Sequence, residues 1–194
     1  MILDKQYWDN RYASGQTGWD LKQISPPLKA YIDKVSNKEI SILIPGCGYA
    51  YEAKYLLGLG FTNVTLIDIA PLPIKKLQEE LKNDKRIRIL NADFFEHNQT
   101  YDLILEQTFF CALPKNMRTQ YASAIYKLLK PGGKLAGLLF ASEFESEGPP
   151  FGGTSIEYNE LFGFYFKKLK LELCYNSIPP RADNELFIIA EKES

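Results

Sequence analysis

The chain has 194 residues, 23 basic and 24 acidic side chains and a formal net charge of −1. That balance argues against a nucleic-acid or anionic-membrane surface as the main partner. No apolar run reaches the roughly 18 residues of a membrane span, and residues 1–10 lack the basic-then-apolar layout of a signal peptide, so a cytoplasmic protein acting on small molecules is expected, as a monomer or weak homodimer.

In chain order, Asp4 is a helix N-cap, and a helix over 4–13 places Trp8 and Tyr12, four apart, on one face. Residues 14–19 form a loop that delivers Trp19. Pro26-Pro27 opens a second short helix through Leu28, Tyr31, Ile32 and Val35. This segment, 1–36, reads as an N-terminal arm or lid on a single domain spanning 1–194. Residues 40–44 are the first strand, Pro45-Gly46-Cys47-Gly48 a turn, 53–59 a helix, and 64–67 a second strand ending on Asp68. Strand, helix and strand with short connections imply a parallel pair with a right-handed crossover.

A helix over 71–83 presents Ile74, Leu77 and Leu81 on one face. Strand 86–90 follows, ending in Asn91-Ala92-Asp93-Phe94-Phe95, and then strand 101–106, ending in Gln107-Thr108-Phe109-Phe110-Cys111. Helical spacing over 114–130 is stopped by Pro131-Gly132-Gly133. Strand 134–141 is largely apolar, as burial on both faces requires. Thr154 and Glu157 form a capping box after a turn-rich stretch, 143–153. Strands 168–175 and 185–190 are joined by the stiff turn Ser177-Ile178-Pro179-Pro180-Arg181, so the last pair is antiparallel. The expectation is an α/β fold with one doubly wound sheet.

In such sheets ligands lie beyond the carboxyl ends of the strands. Gly46 and Gly48 stand at one such end and let a ligand approach the backbone. Asp68, twenty residues after Gly48, can accept hydrogen bonds from both hydroxyls of a ribose. A dinucleotide turn reads G-x-G-x-x-G, because a pyrophosphate must lie on the helix N-terminus. Here Tyr51 holds the third glycine position. Its bulk disfavours a pyrophosphate and leaves S-adenosylmethionine, which has no phosphate. Asp93 and Phe94 supply a carboxylate and an aromatic face for an adenine; a helix cap and plain core are the structural alternatives. Gln107 lies where the methionine half would reach.

Cys47, Cys111, Cys174 and the single histidine, His97, are scattered. That argues against a zinc site and against disulfides, and no metal is expected. Any histidine-dependent nucleophile must use His97, which reads as a solvated loop residue.

The sequence resembles the thiopurine S-methyltransferase family, nearest to its halide/thiol methyltransferase branch. The matching residues are Trp8, Arg11, Thr17-Gly18-Trp19-Asp20, Ile44-Pro45-Gly46-Cys47-Gly48, Ile67-Asp68-Ile69, Asp93-Phe94-Phe95, Tyr101-Asp102-Leu103-Ile104, Phe109-Phe110-Cys111-Ala112-Leu113 and Gly148-Pro149-Pro150-Phe151. The resemblance implies a class I S-adenosylmethionine-dependent methyltransferase fold, Rossmann-like, with a seven-stranded mostly parallel sheet and helices on both faces. It implies S-adenosyl-L-methionine as cofactor, held by Trp8, Tyr12, Trp19, Gly46, Asp68, Asp93, Phe94 and Gln107. Phe109, Phe110, Phe140, Phe151 and Arg181 would form the acceptor pocket. Phe140-Ala141 stands where the branch tends to have tyrosine followed by proline.

The expected reaction is methyl transfer to a small soft nucleophile, a thiol, thiopurine-like sulfur, halide or bisulfide, by in-line displacement. Holding the reactants in line is worth roughly 7–11 kcal/mol, and such nucleophiles need no general base. Arg181 is the candidate for attracting an anionic acceptor, with an exposed turn arginine as the plain alternative. Arg11 is expected to brace the arm through a carboxylate such as Asp20. Cys47 and Cys111 read as small fillers, and Glu106 and Glu143 as structural or as proton acceptors for a thiol. Two other functions compete: an NAD-dependent oxidoreductase on a Rossmann-type sheet, and a non-catalytic S-adenosylmethionine-binding protein.

Overall fold

A computed structural model describes residues 2–145 and 148–194. Among these residues seven strands form one sheet: β1 (Ile42–Pro45), β2 (Val64–Asp68), β3 (Ile87–Asn91), β4 (Tyr101–Gln107), β5 (Leu129–Phe140), β6 (Lys168–Leu173) and β7 (Glu185–Glu191). Their order is β3-β2-β1-β4-β5-β7-β6. The first five run parallel, and β7 lies antiparallel between β5 and β6. The expected antiparallel closing pair is therefore present, with the last strand inserted inside the sixth.

Among the described residues there are six α-helices, α1 (Lys5–Ala13) in the arm and α2 (Pro26–Ile32), α3 (Tyr51–Gly58), α4 (Pro71–Glu80), α5 (Arg118–Leu128) and α6 (Ser155–Gly163) against the sheet. Alternation along the central strands divides the core into two layers. Leu43 and Ile104 pack with Tyr121 and Ile125 of α5 and Tyr158 and Phe162 of α6. Ile42, Ile44, Leu103 and Leu105 pack with Leu28 of α2, Leu56 of α3 and Ile74 of α4. Each such side chain contributes about 1.5–3 kcal/mol when fully buried. Among the described residues no helix is long and apolar enough to cross a membrane.

Boundaries differ from expectation where pairing is long-range. The helix expected over 114–130 starts as a 3-10 turn, Lys115–Met117, and is α-helical only over Arg118–Leu128. Pro131-Gly132-Gly133 lies inside β5 rather than before it. The Gly132 N–H donates to the Lys192 carbonyl and the Lys192 N–H to the Gly133 carbonyl, each at 2.9 Å. Those bonds keep the kinked segment in the sheet.

Candidate functional site

The carboxyl ends of β1 to β4 and the arm around α1 enclose a cavity of ≈ 620 Å³, within the ~300–1,000 Å³ usual for small-molecule sites. At its floor, Gly46 has φ +56°, and a Cβ there would lie 2.4 Å from the Phe109 ring. Gly48 has φ +50°, and its Cβ would meet the Tyr12 hydroxyl at 2.8 Å. Both positions therefore need glycine twice over, for the left-handed backbone and for the space.

Asp68 fixes this turn from the neighbouring strand. Its Oδ2 accepts the Gly48 N–H and its Oδ1 the Ala70 N–H, each at 2.9 Å. Burial raises its pKa, and these backbone bonds pull it back down. Each oxygen keeps a second lone pair for a ligand hydroxyl. Asp93 accepts the Phe95 N–H on Oδ1 at 2.8 Å, capping a 3-10 turn; its Oδ2 has no protein partner among the described residues. Phe94 belongs to the core and also lines the cavity, so for both residues the structural and the binding readings coexist.

The arm supplies Trp8, Tyr12 and Trp19 to the same cavity. Trp8 and Tyr12 each meet Trp19 edge to face, with ring centroids 5.6 Å apart. Asp4 caps α1 as expected. Asp9 Oδ1 accepts the Leu72 N–H at 2.8 Å and ties α1 to the start of α4. Arg11 does brace the arm, but not through Asp20. Its Nε donates to the Gln16 carbonyl at 3.0 Å, and its guanidinium lies 5.5 Å from the Trp19 ring centre. Asp20 instead accepts the Lys22 N–H, which closes the local turn.

At the other end, Phe140, Phe144, Pro149 and Pro150 surround Arg181 and Asn184. Arg181 is no exposed turn residue. Its Nη1 lies 3.3 Å from Glu185 Oε1, with side chains only 10% and 5% exposed. Its Nη2 donates to the Trp19 carbonyl at 3.0 Å, and its guanidinium stacks 5.6 Å from the Phe140 ring centre. The Asn184 Oδ1 accepts the Ser142 hydroxyl at 2.6 Å.

Three expected wall residues lie elsewhere. Phe110 is in the core among Tyr121, Tyr158 and Phe162, beneath the Arg118 guanidinium. Phe151 packs over Gly148, whose Cβ would lie 2.3 Å from its ring, and its N–H donates to the Cys111 carbonyl. The Gln107 amide is buried off the cavity wall, and neither its nitrogen nor its oxygen has a hydrogen-bond partner among the described residues. Continuing the β1–β4 register brings Gln107 level with Gly46. An orphaned amide there, the glycine turn and the free Asp93 oxygen fit a ligand that carries an amino acid at one end and an adenosine at the other.

Other candidates fall away from the chemistry. Cys47 and Cys111 are buried, and burial pushes both thiols up, so they stay protonated. Glu143 is exposed and paired with Lys115 at 2.7 Å. Glu106 is fully buried and does not touch the cavity. His97 stacks on Tyr101 at the opposite, amino end of β4. Among the described residues no group of three or more His, Cys, Asp or Glu could hold a metal ion. Sequence reading passed over Ile69, Thr108, Met117, Phe144 and Asn184, all on the wall. The signal for Asn184 was the antiparallel last strand, whose amino end must lie beside the carboxyl ends of the parallel ones.

A family model described as Thiopurine S-methyltransferase (TPMT) matches residues 3–192. "Probable thiol methyltransferase 2" of Arabidopsis thaliana is 32% identical over 186 residues, 93% of this chain and 78% of that protein. A Vibrio cholerae "Thiopurine S-methyltransferase" is 27% identical over 181 residues, 83% of this chain and 82% of that one. "Thiocyanate methyltransferase 1" of Brassica oleracea is 27% identical over 191 residues, 92% and 81% of the two chains. Among solved structures, the 1,6-didemethyltoxoflavin-N1-methyltransferase of Burkholderia thailandensis superposes with TM-score 0.74 at 20% identity, covering 98% of this chain and 87% of that one.

Proposed function

Because the chain belongs to the thiopurine S-methyltransferase family and uses S-adenosylmethionine as methyl donor, we propose that its acceptor is a small soft nucleophile, with sulfur favoured over halide. Family membership removes the nicotinamide alternative. The relatives named for thiols, thiopurines and thiocyanate favour sulfur among the soft nucleophiles. The observation that carries the reading is the makeup of the acceptor half. Phe140, Phe144, Pro149 and Pro150 are apolar, and among the described residues there the one cation, Arg181, is already paired with Glu185. Among the described residues lining this half, no carboxylate or imidazole stands ready to take a proton. A thiolate needs none, whereas an un-ionised alcohol, or an amine that is protonated in solution, does.

The donor supplies a methyl group on a sulfonium, already a good leaving group. In this reading Asp68 accepts from the ribose hydroxyls, and Asp93 with Phe94 binds the adenine. Gly46 lets the methionine end approach the backbone, and the Gln107 amide turns to meet it. Trp8, Tyr12 and Trp19, carried by the N-terminal arm, cover the site as a lid and exclude water, and a ring face toward the sulfonium charge is worth roughly 0.5–1 kcal/mol at exposed sites and about 2 kcal/mol or more when desolvated. Arg181 sets the acceptor's place by holding the Trp19 carbonyl and the Phe140 ring.

The test is a transfer assay with S-adenosylmethionine and a panel of thiophenol, a thiopurine, bisulfide, iodide, phenol and aniline. Turnover of one or more sulfur acceptors, above iodide and far above phenol and aniline, is expected. Transfer confined to phenol or aniline would overturn the soft-nucleophile reading, and a preference for iodide would overturn the choice of sulfur.

A further inference from the structure

Glu106 is a buried acid that the reading above leaves unused. It stands next to the last residue of β4 and is 0% exposed. Its Oε1 accepts the N–H groups of Phe109 and Phe110 at 2.8 and 2.9 Å, and its Oε2 accepts the Tyr121 hydroxyl at 2.6 Å. The facing strand is hollowed out to admit it: a Cβ at Gly137 would lie 2.2 Å from the Glu106 Cβ. The turn it grips starts at Thr108, a non-glycine residue with φ +60°. Such a backbone is disfavoured and needs outside support. The beneficiary is Phe109, whose ring lines the cavity and lies against Gly46.

Among the described residues this carboxyl group accepts from three donors, an arrangement made for the ionised form. On protonation, an O–H must find an acceptor where only donors point. The Tyr121 oxygen can take it only if the phenol stops donating to Oε2, and Tyr121 is itself fully buried.

We propose that Glu106 is a positioning residue for the donor site: as a carboxylate it tethers the Phe109–Phe110 turn and holds the Phe109 ring over the Gly46 turn, and on taking a proton it loosens that wall. The inference rests on the methyl-donor reading of the cavity but not on any choice of acceptor. The titratable groups facing Glu106 are Tyr121 from α5 and Cys111 from the turn, while β5 contributes only Gly137. Arg118 and Arg181 act on Cys111 rather than on Glu106. Burial drives Tyr121 and Cys111 upward, so both stay neutral near pH 7. Burial also pushes Glu106 up to about 7, against the pull of Tyr121 and the two N–H groups.

The experiment is calorimetric binding of S-adenosylhomocysteine across the neutral range to the wild type, Glu106→Gln and Tyr121→Phe. Gln keeps an oxygen for the two N–H groups and cannot titrate. The wild type is expected to bind at least about threefold more weakly near pH 6 than near pH 8, under the tenfold-per-unit ceiling of a one-proton linkage. Glu106→Gln should lack this limb, and Tyr121→Phe should move its midpoint to higher pH by removing a donor to the carboxylate. Amide exchange should show protection at Phe109 and Phe110 falling along the same limb. A wild-type pH profile kept in Glu106→Gln would overturn the proposal and leave the donor site standing. Absence of binding by all three proteins at every pH would instead strike the donor reading on which it rests.

Discussion

Trp19 and Arg181, 162 positions apart, are joined by one hydrogen bond from the arginine Nη2 to the tryptophan carbonyl at 3.0 Å. It latches the arm to the turn before β7 across the mouth of the cavity. The same guanidinium is paired with Glu185 in a nearly closed environment, so the latch is held at both ends.

Arg181→Ala is therefore expected to damage more than acceptor recognition. It leaves the Glu185 charge buried and alone, a loss of about 3 kcal/mol in stability, and it frees Trp19. Denaturant unfolding should register the first effect, and weaker S-adenosylhomocysteine binding in calorimetry the second. The double change Arg181→Met with Glu185→Leu should recover most of the stability and none of the binding.

Gly46→Ala should be among the most damaging single-methyl changes in the chain. Its Cβ meets the Phe109 ring at 2.4 Å on a left-handed backbone, whereas a Cβ at Gly58, the last residue of α3, meets nothing within 4 Å. Donor affinity is expected to drop about tenfold or more in Gly46→Ala. Gly58→Ala should leave affinity unchanged and stabilise by up to ~1 kcal/mol. Calorimetry and thermal melts on the pair distinguish the two.

Asp68→Ala should weaken the donor more than Asp93→Ala. The first removes a partner for two ribose hydroxyls and also the brace on the Gly48 and Ala70 N–H groups. The second removes one adenine contact and the cap on Phe95. Equal losses in S-adenosylhomocysteine affinity would contradict these placements.

Gln107→Leu should separate stability from binding. An amide buried without partners carries a desolvation penalty of about 1–3 kcal/mol per unsatisfied group, and an apolar side chain of similar size removes it. The ligand-free protein should melt higher, while donor affinity falls. A variant that melts higher with unchanged affinity would show that the amide never meets the cofactor.

Glu106 sets the sign of one pH effect on stability. Its folded pKa of about 7 lies above the ordinary 4.5, so between these values the folded state holds a proton that the unfolded state has lost. Stability should fall as pH rises through that window, with a slope of up to ~1.4 kcal/mol per unit. Glu106→Gln should lack this component in urea titrations at several pH values. The ionised form that best organises the turn is thus the one less favourable to the fold.

The strand–turn–helix–strand around Gly46 and Asp68 was readable in sequence because each step depends on near neighbours: glycine backbone freedom, helical spacing, a strand ending on an acid. The carboxyl-end positions of Asp93 and Phe109 followed from the same logic. Phe110 did not, because left-handed Thr108 changes the phase in which side chains leave the end of β4; Phe151 did not, because its place rests on a bond to the distant Cys111 carbonyl; and Gln107 reached the expected strand end, but its amide lies off the wall. Pro131-Gly132-Gly133 reads as a stop signal locally and becomes strand only through Lys192 at the far end of the chain. The Arg181–Glu185 pair sits on a single short turn, but its burial depends on Trp19 and Phe140, which no local pattern announces.

The insertion of β7 between β5 and β6 has a consequence for the order of events on the ribosome. β6 emerges before β7 yet has no partner in the sheet until β7 arrives. With synthesis at about 5–20 residues per second and N-terminal parts folding first, a nascent chain can assemble β1 to β5 while one flank of the sheet remains open. Arg181 and Asn184 then reach the cavity only as the final strand seals that flank. This protein can close over a donor only once β7 has emerged and paired with β5 and β6.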